Sequence, residues 1–180
     1  MFVALDPPEA ARAALAAWRD RLVAGRPELR PVAPQALHVT LVFLGWQNEA
    51  AAEAIADASF AAVGGLSAPT LLPRSVEAVP PRRPRLFALD LEDEGGRCAA
   101  LQSAVSDALE GGGFYEPEQR PFWPHITLAR VKRGARADPP QPQGAPAEPF
   151  SAEQLTLYRS TLRPQGALYE PLARLPLSDA

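Results

Sequence analysis

Apolar positions along this chain change spacing from segment to segment. Phe2-Val3-Ala4-Leu5-Asp6 is a short apolar run that stops at Pro7-Pro8, the pattern of a buried strand. From Glu9 to Ala24 the pattern becomes helical, with Ala13, Ala14, Ala17, Trp18 and Leu22 on one side and Gly25 at the exit. Leu37 to Leu44 is branched and aromatic, closed by Gly45, and predicts a strand. Asn48 can cap a second helix that runs to about Val63 and ends at Gly64-Gly65. Leu66 to Val79 and Arg85 to Leu91 read as extended segments joined by the Pro80–Pro84 turn. A third helix is predicted from about Gly95 to Leu109, stopped by Gly111-Gly112-Gly113. Ile126 to Val131, Phe150 to Leu162 and Ala167 to Leu175 are the remaining extended segments. Gly134 to Pro149 carries Pro139, Pro140, Pro142, Pro146 and Pro149 with almost no large apolar residue, and predicts an exposed, mobile connection.

A repeat lies inside this order. Phe2-Val3-Ala4-Leu5-Asp6 aligns with Leu86-Phe87-Ala88-Leu89-Asp90, and each is followed by an alanine-rich helix. His38-Val39-Thr40-Leu41 then aligns with His125-Ile126-Thr127-Leu128. The period is far longer than a solenoid unit, so it reads as one duplication, with repeats over about 2–45 and 86–131. The expected fold is α+β: one domain over residues 1–180, in two pseudo-two-fold lobes of antiparallel sheet flanked by helices around a central cleft.

Composition narrows the function classes. With 180 residues, 47% hydrophobic and 22% charged, the chain can bury a proper core. No apolar run approaches the roughly 20 residues that a membrane helix needs. A single cysteine, Cys98, cannot close an internal disulfide, so a reducing cytoplasm is the expected location. A net charge of −3 argues against a coat for long nucleic acid but leaves room for a local phosphate site.

The chain has two histidines, and both begin His-x-Thr-Leu. With five Thr and 23 Leu among 180 residues, chance would produce this pair about once in 10⁵. A lone strand histidine is usually structural; two at duplicate positions point to a shared site. In a strand, residues two apart share a face, so His38 and Thr40 project together, as do His125 and Thr127. Two such pairs across a cleft place two imidazoles and two hydroxyls around one small volume. One neutral and one protonated imidazole can coexist near neutrality, taking a proton from water and giving one to a leaving oxygen. Hydroxyls suit phosphoryl oxygens as they gain charge. This is the outfit for phosphodiester chemistry without a metal. Zinc would need further carboxylate ligands, Lys132 follows Val131 rather than the glycine of a Walker loop, and no Gly-x-Ser-x-Gly elbow exists. Cys98, on a helix, reads as a buried structural thiol.

The two motifs, within Leu37-His38-Val39-Thr40-Leu41-Val42-Phe43-Leu44-Gly45 and Pro124-His125-Ile126-Thr127-Leu128-Ala129-Arg130-Val131, resemble those of the 2H phosphoesterase superfamily. With the first strand and the late Leu155–Ser160 segment, the chain resembles the bacterial and archaeal RNA 2',3'-cyclic phosphodiesterases, historically called 2'-5' RNA ligases. The resemblance implies hydrolysis of a terminal 2',3'-cyclic phosphate to a 2'-phosphomonoester, with reversible 2'-5' ligation, and no cofactor or metal. It implies His38 as proton donor to the leaving 3' oxygen and His125 as proton acceptor from water. It also implies Thr40 and Thr127 as phosphate-binding hydroxyls. The pseudosymmetry of the residues alone leaves the acid and base interchangeable.

Arg130 is a further candidate for substrate phosphate, although strict alternation would turn it away from His125 and Thr127 unless a bulge intervenes. Arg82, Arg83 and Arg85 at a turn read as a solvated face, with guidance of an RNA backbone as the alternative. Phe122 is the candidate for stacking a terminal base, while Phe43 has core-facing parity and reads as packing. Expected partners are RNA 3' ends or small nucleotides bearing a 2',3'-cyclic phosphate, with no membrane and no obligate protein partner. The rival readings are a sister enzyme acting on a small cyclic nucleotide and a non-catalytic module that binds RNA ends.

Overall fold

The computed structural model describes residues 1–140, 148–163 and 166–178. Nine strands and three α-helices alternate along them: β1 (Phe2–Asp6), α1 (Glu9–Val23), β2 (Leu29–Pro31), β3 (Val39–Phe43), α2 (Ala52–Ala62), β4 (Thr70–Val79), β5 (Leu86–Asp93), α3 (Arg97–Gly111), β6 (His125–Val131), β7 (Phe150–Ser151), β8 (Gln154–Arg163) and β9 (Gly166–Pro176). The strands form an antiparallel sheet in the order β7-β4-β5-β6-β3-β1-β8-β9, with β2 added on β6. One half of this order holds the strands nearest both ends of the chain, and the other holds the middle. The halves meet at a single register pair, Val39 with Ile126.

Several boundaries differ from the sequence expectation. His38 lies just before β3 rather than within it, after a short 3-10 turn at Pro34–Ala36. The Phe150–Leu162 segment breaks at Ala152-Glu153, where the backbone leaves the β4 edge and joins β1. β2 has no counterpart in the expectation, because three residues, Leu29-Arg30-Pro31, are too few to carry a readable periodicity. The start of the Gly134–Pro149 connection is exposed as expected at Gly134, Arg136, Asp138 and Pro139, but it is pinned to the fold at two points. Ala137 packs on Leu29, Phe87 and Ala129, and Pro140 is buried. Residues 141–147 of that connection lie outside the described residues.

One face of the sheet is closed by the helices. Leu15 and Trp18 of α1, Ile55 of α2, and Leu101 and Val105 of α3 form one core with Val3, Leu5, Leu89, Ile126, Leu128 and Leu155. Asp93 anchors the start of α3, accepting from the backbone N–H of Cys98 at 2.9 Å and Ala99 at 2.8 Å. The Cys98 thiol is fully buried, and burial pushes its pKa up, so it is a packed thiol and not a nucleophile. No helix among the described residues is long and apolar enough to cross a membrane. The opposite face of the sheet carries His38, Thr40 and Thr127, which line an open cavity.

Candidate active site

The two motif strands share one geometric device. In β1–β3, Ala4 faces Thr40 and Val3 faces Val42, so Leu41 is an extra residue. In β5–β6, Ala88 faces Thr127 and Phe87 faces Ala129, so Leu128 is the extra residue. Each motif leucine is therefore a β-bulge, at the same step of the duplicated pattern. A bulge shifts every later residue to the other face. Leu41 and Val42 are both buried, as are Leu128 and Ala129. Alternation then resumes inverted, which brings Arg130 onto the face of His125 and Thr127.

The same inversion corrects the expectation for Phe43. Its parity predicted a core position, but it is 60% exposed on the open face, at the repeat position that Arg130 holds in the other half. Phe122 goes the other way. It is partly buried against the main core and does not line the cavity, because the segment before β6 turns it inward.

A cavity of about 120 Å³ opens where β3 meets β6, lined by Phe2, His38, Thr40, Phe43, Thr127, Arg130, Ser160 and Tyr169, with Val32 and Ala36 at its side. One water needs roughly 10–15 Å³, so a phosphate-sized group fits. The small side chains of Ala4 and Ala88 beside the two threonines leave this space over the sheet. Val32 is held there by its N–H to Leu128 O at 2.8 Å and by a hydrogen bond from the buried Arg19 guanidinium to its carbonyl. His125 stands two residues before Thr127 on the same face, outside the cavity lining, and its charge is felt at His38.

Both imidazoles are held alike. Nδ1 of His38 lies 2.8 Å from Ala36 O, and Nδ1 of His125 lies 2.8 Å from Trp123 O. A carbonyl only accepts, so each Nδ1 carries the hydrogen and each Nε2 is left for chemistry. His38 Nε2 lies 3.1 Å from the Thr40 hydroxyl, which donates to it when the ring is neutral. His38 stacks on Phe2 at 4.9 Å and meets the edge of Tyr169 at 5.3 Å. His125 stacks on Trp123 at 4.2 Å, and Trp123 Nε1 donates to Asp90 at 2.6 Å.

Behind Phe2 lies a carboxylate that sequence reading passed over. Asp6 is buried and accepts from Thr156 Oγ1 at 2.6 Å and from the Tyr158 hydroxyl at 2.9 Å. Burial and the Asp6 charge push the Tyr158 pKa up, so it stays a neutral donor. Asp90 is the matching residue of the second half, so the repeat Ala-Leu-Asp was itself the available signal. Phe2, Ser160 and Tyr169 were also missed, because their spacing carries no motif.

His38 is pushed down to about 4, first by burial and then by the positive charges of His125, Arg130 and Arg12. The Nδ1 hydrogen bond to Ala36 opposes this and is outweighed. The unliganded ring is therefore neutral at pH 7, and an anion in the cavity would favour its protonated form. Among the described residues, no three of His, Cys, Asp and Glu cluster as a ligand set for a metal.

Residues 7–163 match the family described as the 2'-5' RNA ligase superfamily. An RNA 2',3'-cyclic phosphodiesterase of Thermus thermophilus is 34% identical, over 98% of this chain and 89% of the relative. One of Escherichia coli is 30% identical, over 99% and 97%. A crystal structure from Thermus thermophilus superposes with a TM-score of 0.78 at 31% identity, covering 99% of this chain and 97% of the other. Since the family match covers most of the chain and near-full-length relatives are 30–34% identical, the chain belongs to the 2'-5' RNA ligase superfamily.

Proposed function

We propose that this protein is a metal-independent RNA 2',3'-cyclic phosphodiesterase, formed as one catalytic domain of two duplicated lobes. The observation that carries the reading is the cavity at the β3–β6 seam, where residues from both motifs converge on a phosphate-sized space. The relatives that match over their full length bear the same activity in their names.

The cyclic phosphate enters with its non-bridging oxygens toward the Thr40 and Thr127 hydroxyls and the Arg130 guanidinium. Its negative charge raises the pKa of His38, which takes up a proton at Nε2. His125, fixed by Trp123, accepts a proton from water at its own Nε2 as the water oxygen bonds to phosphorus. The bond from phosphorus to the 3' oxygen breaks, and His38 gives its proton to that oxygen. The products are a 3' hydroxyl and a 2'-phosphomonoester, with one proton moved to His125 and one lost from His38. Exchange with solvent restores the pair. The threonines and Arg130 stabilise charge on the phosphoryl oxygens as the new bond forms. Run in reverse, with a 5' hydroxyl in place of water, the same groups would form a 2'-5' linkage. The assignment of His38 as acid rests on the family resemblance.

His38→Ala and His125→Ala kinetics on an oligoribonucleotide ending in a 2',3'-cyclic phosphate test the assignment. Each variant should lose about 10²–10⁴-fold in kcat with substrate binding better preserved. Near-full turnover by either would remove that residue from the mechanism.

A further inference from the structure

A second groove, of about 780 Å³, runs away from the cavity and shares Arg130 with it. Its lining brings together Arg30, Arg85, Arg130, Lys132 and Arg133, and no carboxylate. This is unexpected in a chain of net charge −3. No ion pair or side-chain hydrogen bond to another described residue engages any of the five. Elsewhere Arg19, Arg26, Arg74, Arg120 and Arg159 sit on carboxylates, and other arginines such as Arg21, Arg97 and Arg174 make no ion pair with a described residue. What sets the groove apart is that five basic side chains line one space. The nearby Glu28 is already bound to Arg26 at 2.9 Å.

The backbone forces this crowding. Arg30 on β2 and Arg130 on β6 are direct register partners, so two guanidinium groups leave the same face of neighbouring strands. Like charges placed opposite one another destabilise a sheet. Arg85 joins them because its carbonyl accepts from Val131 N–H at 2.8 Å. After β6 a turn closed by Ala135 N–H to Lys132 O at 3.0 Å presents Lys132 and Arg133. Gly134 sits in that turn at φ 80°, a conformation that glycine adopts without strain. A local rule broken with only the Glu28 charge near Lys132 to offset it marks a surface that expects an external anion.

We infer that this groove is a track for the sugar–phosphate backbone on the 5' side of the reacting end, so that the protein selects a polynucleotide over a cyclic mononucleotide. The inference rests on the proposed phosphodiesterase reading. Arg130 is the hinge between the two spaces, since one guanidinium borders both the reacting phosphate and the track. From Arg130 to Lys132 a strand advances roughly 6.6 Å, and the turn and Arg85 extend the positive surface further. That surface suits about three consecutive phosphates. Arg82 and Arg83 are exposed on the neighbouring turn but do not line the groove, so of the three turn arginines only Arg85 is assigned to it.

The test compares two substrates, a hexaribonucleotide ending in a 2',3'-cyclic phosphate and a 2',3'-cyclic mononucleotide. Arg85→Ala/Arg133→Ala should lower kcat/KM for the hexamer about tenfold, chiefly through KM. Its loss on the mononucleotide should be under about twofold. Unmutated protein supplies an independent readout. Contact with three phosphates should make log kcat/KM for the hexamer fall against log salt about 2 units more steeply than for the mononucleotide, at about 0.7 per phosphate. Equal losses on both substrates, or parallel salt lines, would overturn the track. Turnover of neither substrate by the unmutated protein would instead overturn the phosphodiesterase reading. In that case fluorescence anisotropy with a 3'-phosphorylated hexaribonucleotide, and its loss in the double variant, still decides the groove.

Discussion

Replacing His38 by asparagine should remove a pH dependence of folding that the present geometry imposes. The asparagine amide can keep the hydrogen bond to Ala36 O that Nδ1 makes at 2.8 Å, but it does not titrate. The folded-state value near 4 lies well below the ordinary 6.5, so the unfolded chain binds the proton more readily than the fold does. Stability from the neutral ring is complete above about pH 6.5 and is lost as pH falls through 4. At about 1.4 kcal/mol per pH unit the full difference approaches about 3 kcal/mol. The ring is partly exposed at the cavity, and solvent screening brings the expectation to about 2 kcal/mol. Urea unfolding at pH 8, 6.5, 5.5 and 4.5 should show the unmutated protein losing this amount relative to His38→Asn. Inorganic phosphate should bind with proton uptake between pH 5 and 7, read by calorimetry in two buffers of different ionisation enthalpy. Parallel stability curves for the two proteins would refute the depressed value. Phosphate binding without proton uptake would remove the route by which His38 becomes an acid.

Thr40→Val and Thr127→Val should each lower kcat about 10²-fold by deleting a donor to the phosphoryl oxygens, while moving the limbs of the kcat pH profile little. Phe43→Ala should raise KM with almost no change in thermal midpoint, because the ring is 60% exposed beside the cavity. Phe122→Ala should do the reverse and lower the midpoint through lost core packing. Asp6→Ala should cost about 1–3 kcal/mol in urea unfolding, since the buried Thr156 and Tyr158 hydroxyls lose their acceptor.

The sequence made the α+β fold legible because its helices and longer strands carry the right spacing and glycine or proline stops. The face read for α1 was nevertheless rotated: Ala13, Ala14 and Ala17 are exposed, and Leu15, Ala16, Trp18 and Arg19 are buried. The duplication was legible for a further reason. Ala-Leu-Asp and His-x-Thr-Leu recur at spacings that become identical strand registers, with Leu5 against Val39 and Leu89 against Ile126. The limits of alternation were set by the bulges at Leu41 and Leu128. A bulge is a property of two strands together, and no single-strand pattern encodes which residue will be extra. Arg130 could be recognised as needing one, whereas Phe43 was assigned to the core by an alternation that fails two residues earlier. Phe2, Tyr158 and Tyr169 meet around His38, and Asp6 holds Tyr158 in place, through pairings of β1, β8 and β9 between residues up to 150 apart, as in Thr156 to Asp6. Contacts of that range leave no local mark. The basic groove was only partly visible for the same reason, because Arg30 lies on the strand that periodicity did not reveal.

The central claim is that two imidazoles open a cyclic phosphate toward the 3' oxygen. The most direct measurement is phosphorus NMR of the product from an oligoribonucleotide ending in a 2',3'-cyclic phosphate, run in excess EDTA. The account predicts a 2'-phosphomonoester as the sole product, formed at an undiminished rate under chelation and absent with His125→Ala. A 3'-phosphomonoester, or turnover that stops with EDTA and returns with a divalent ion, would contradict it.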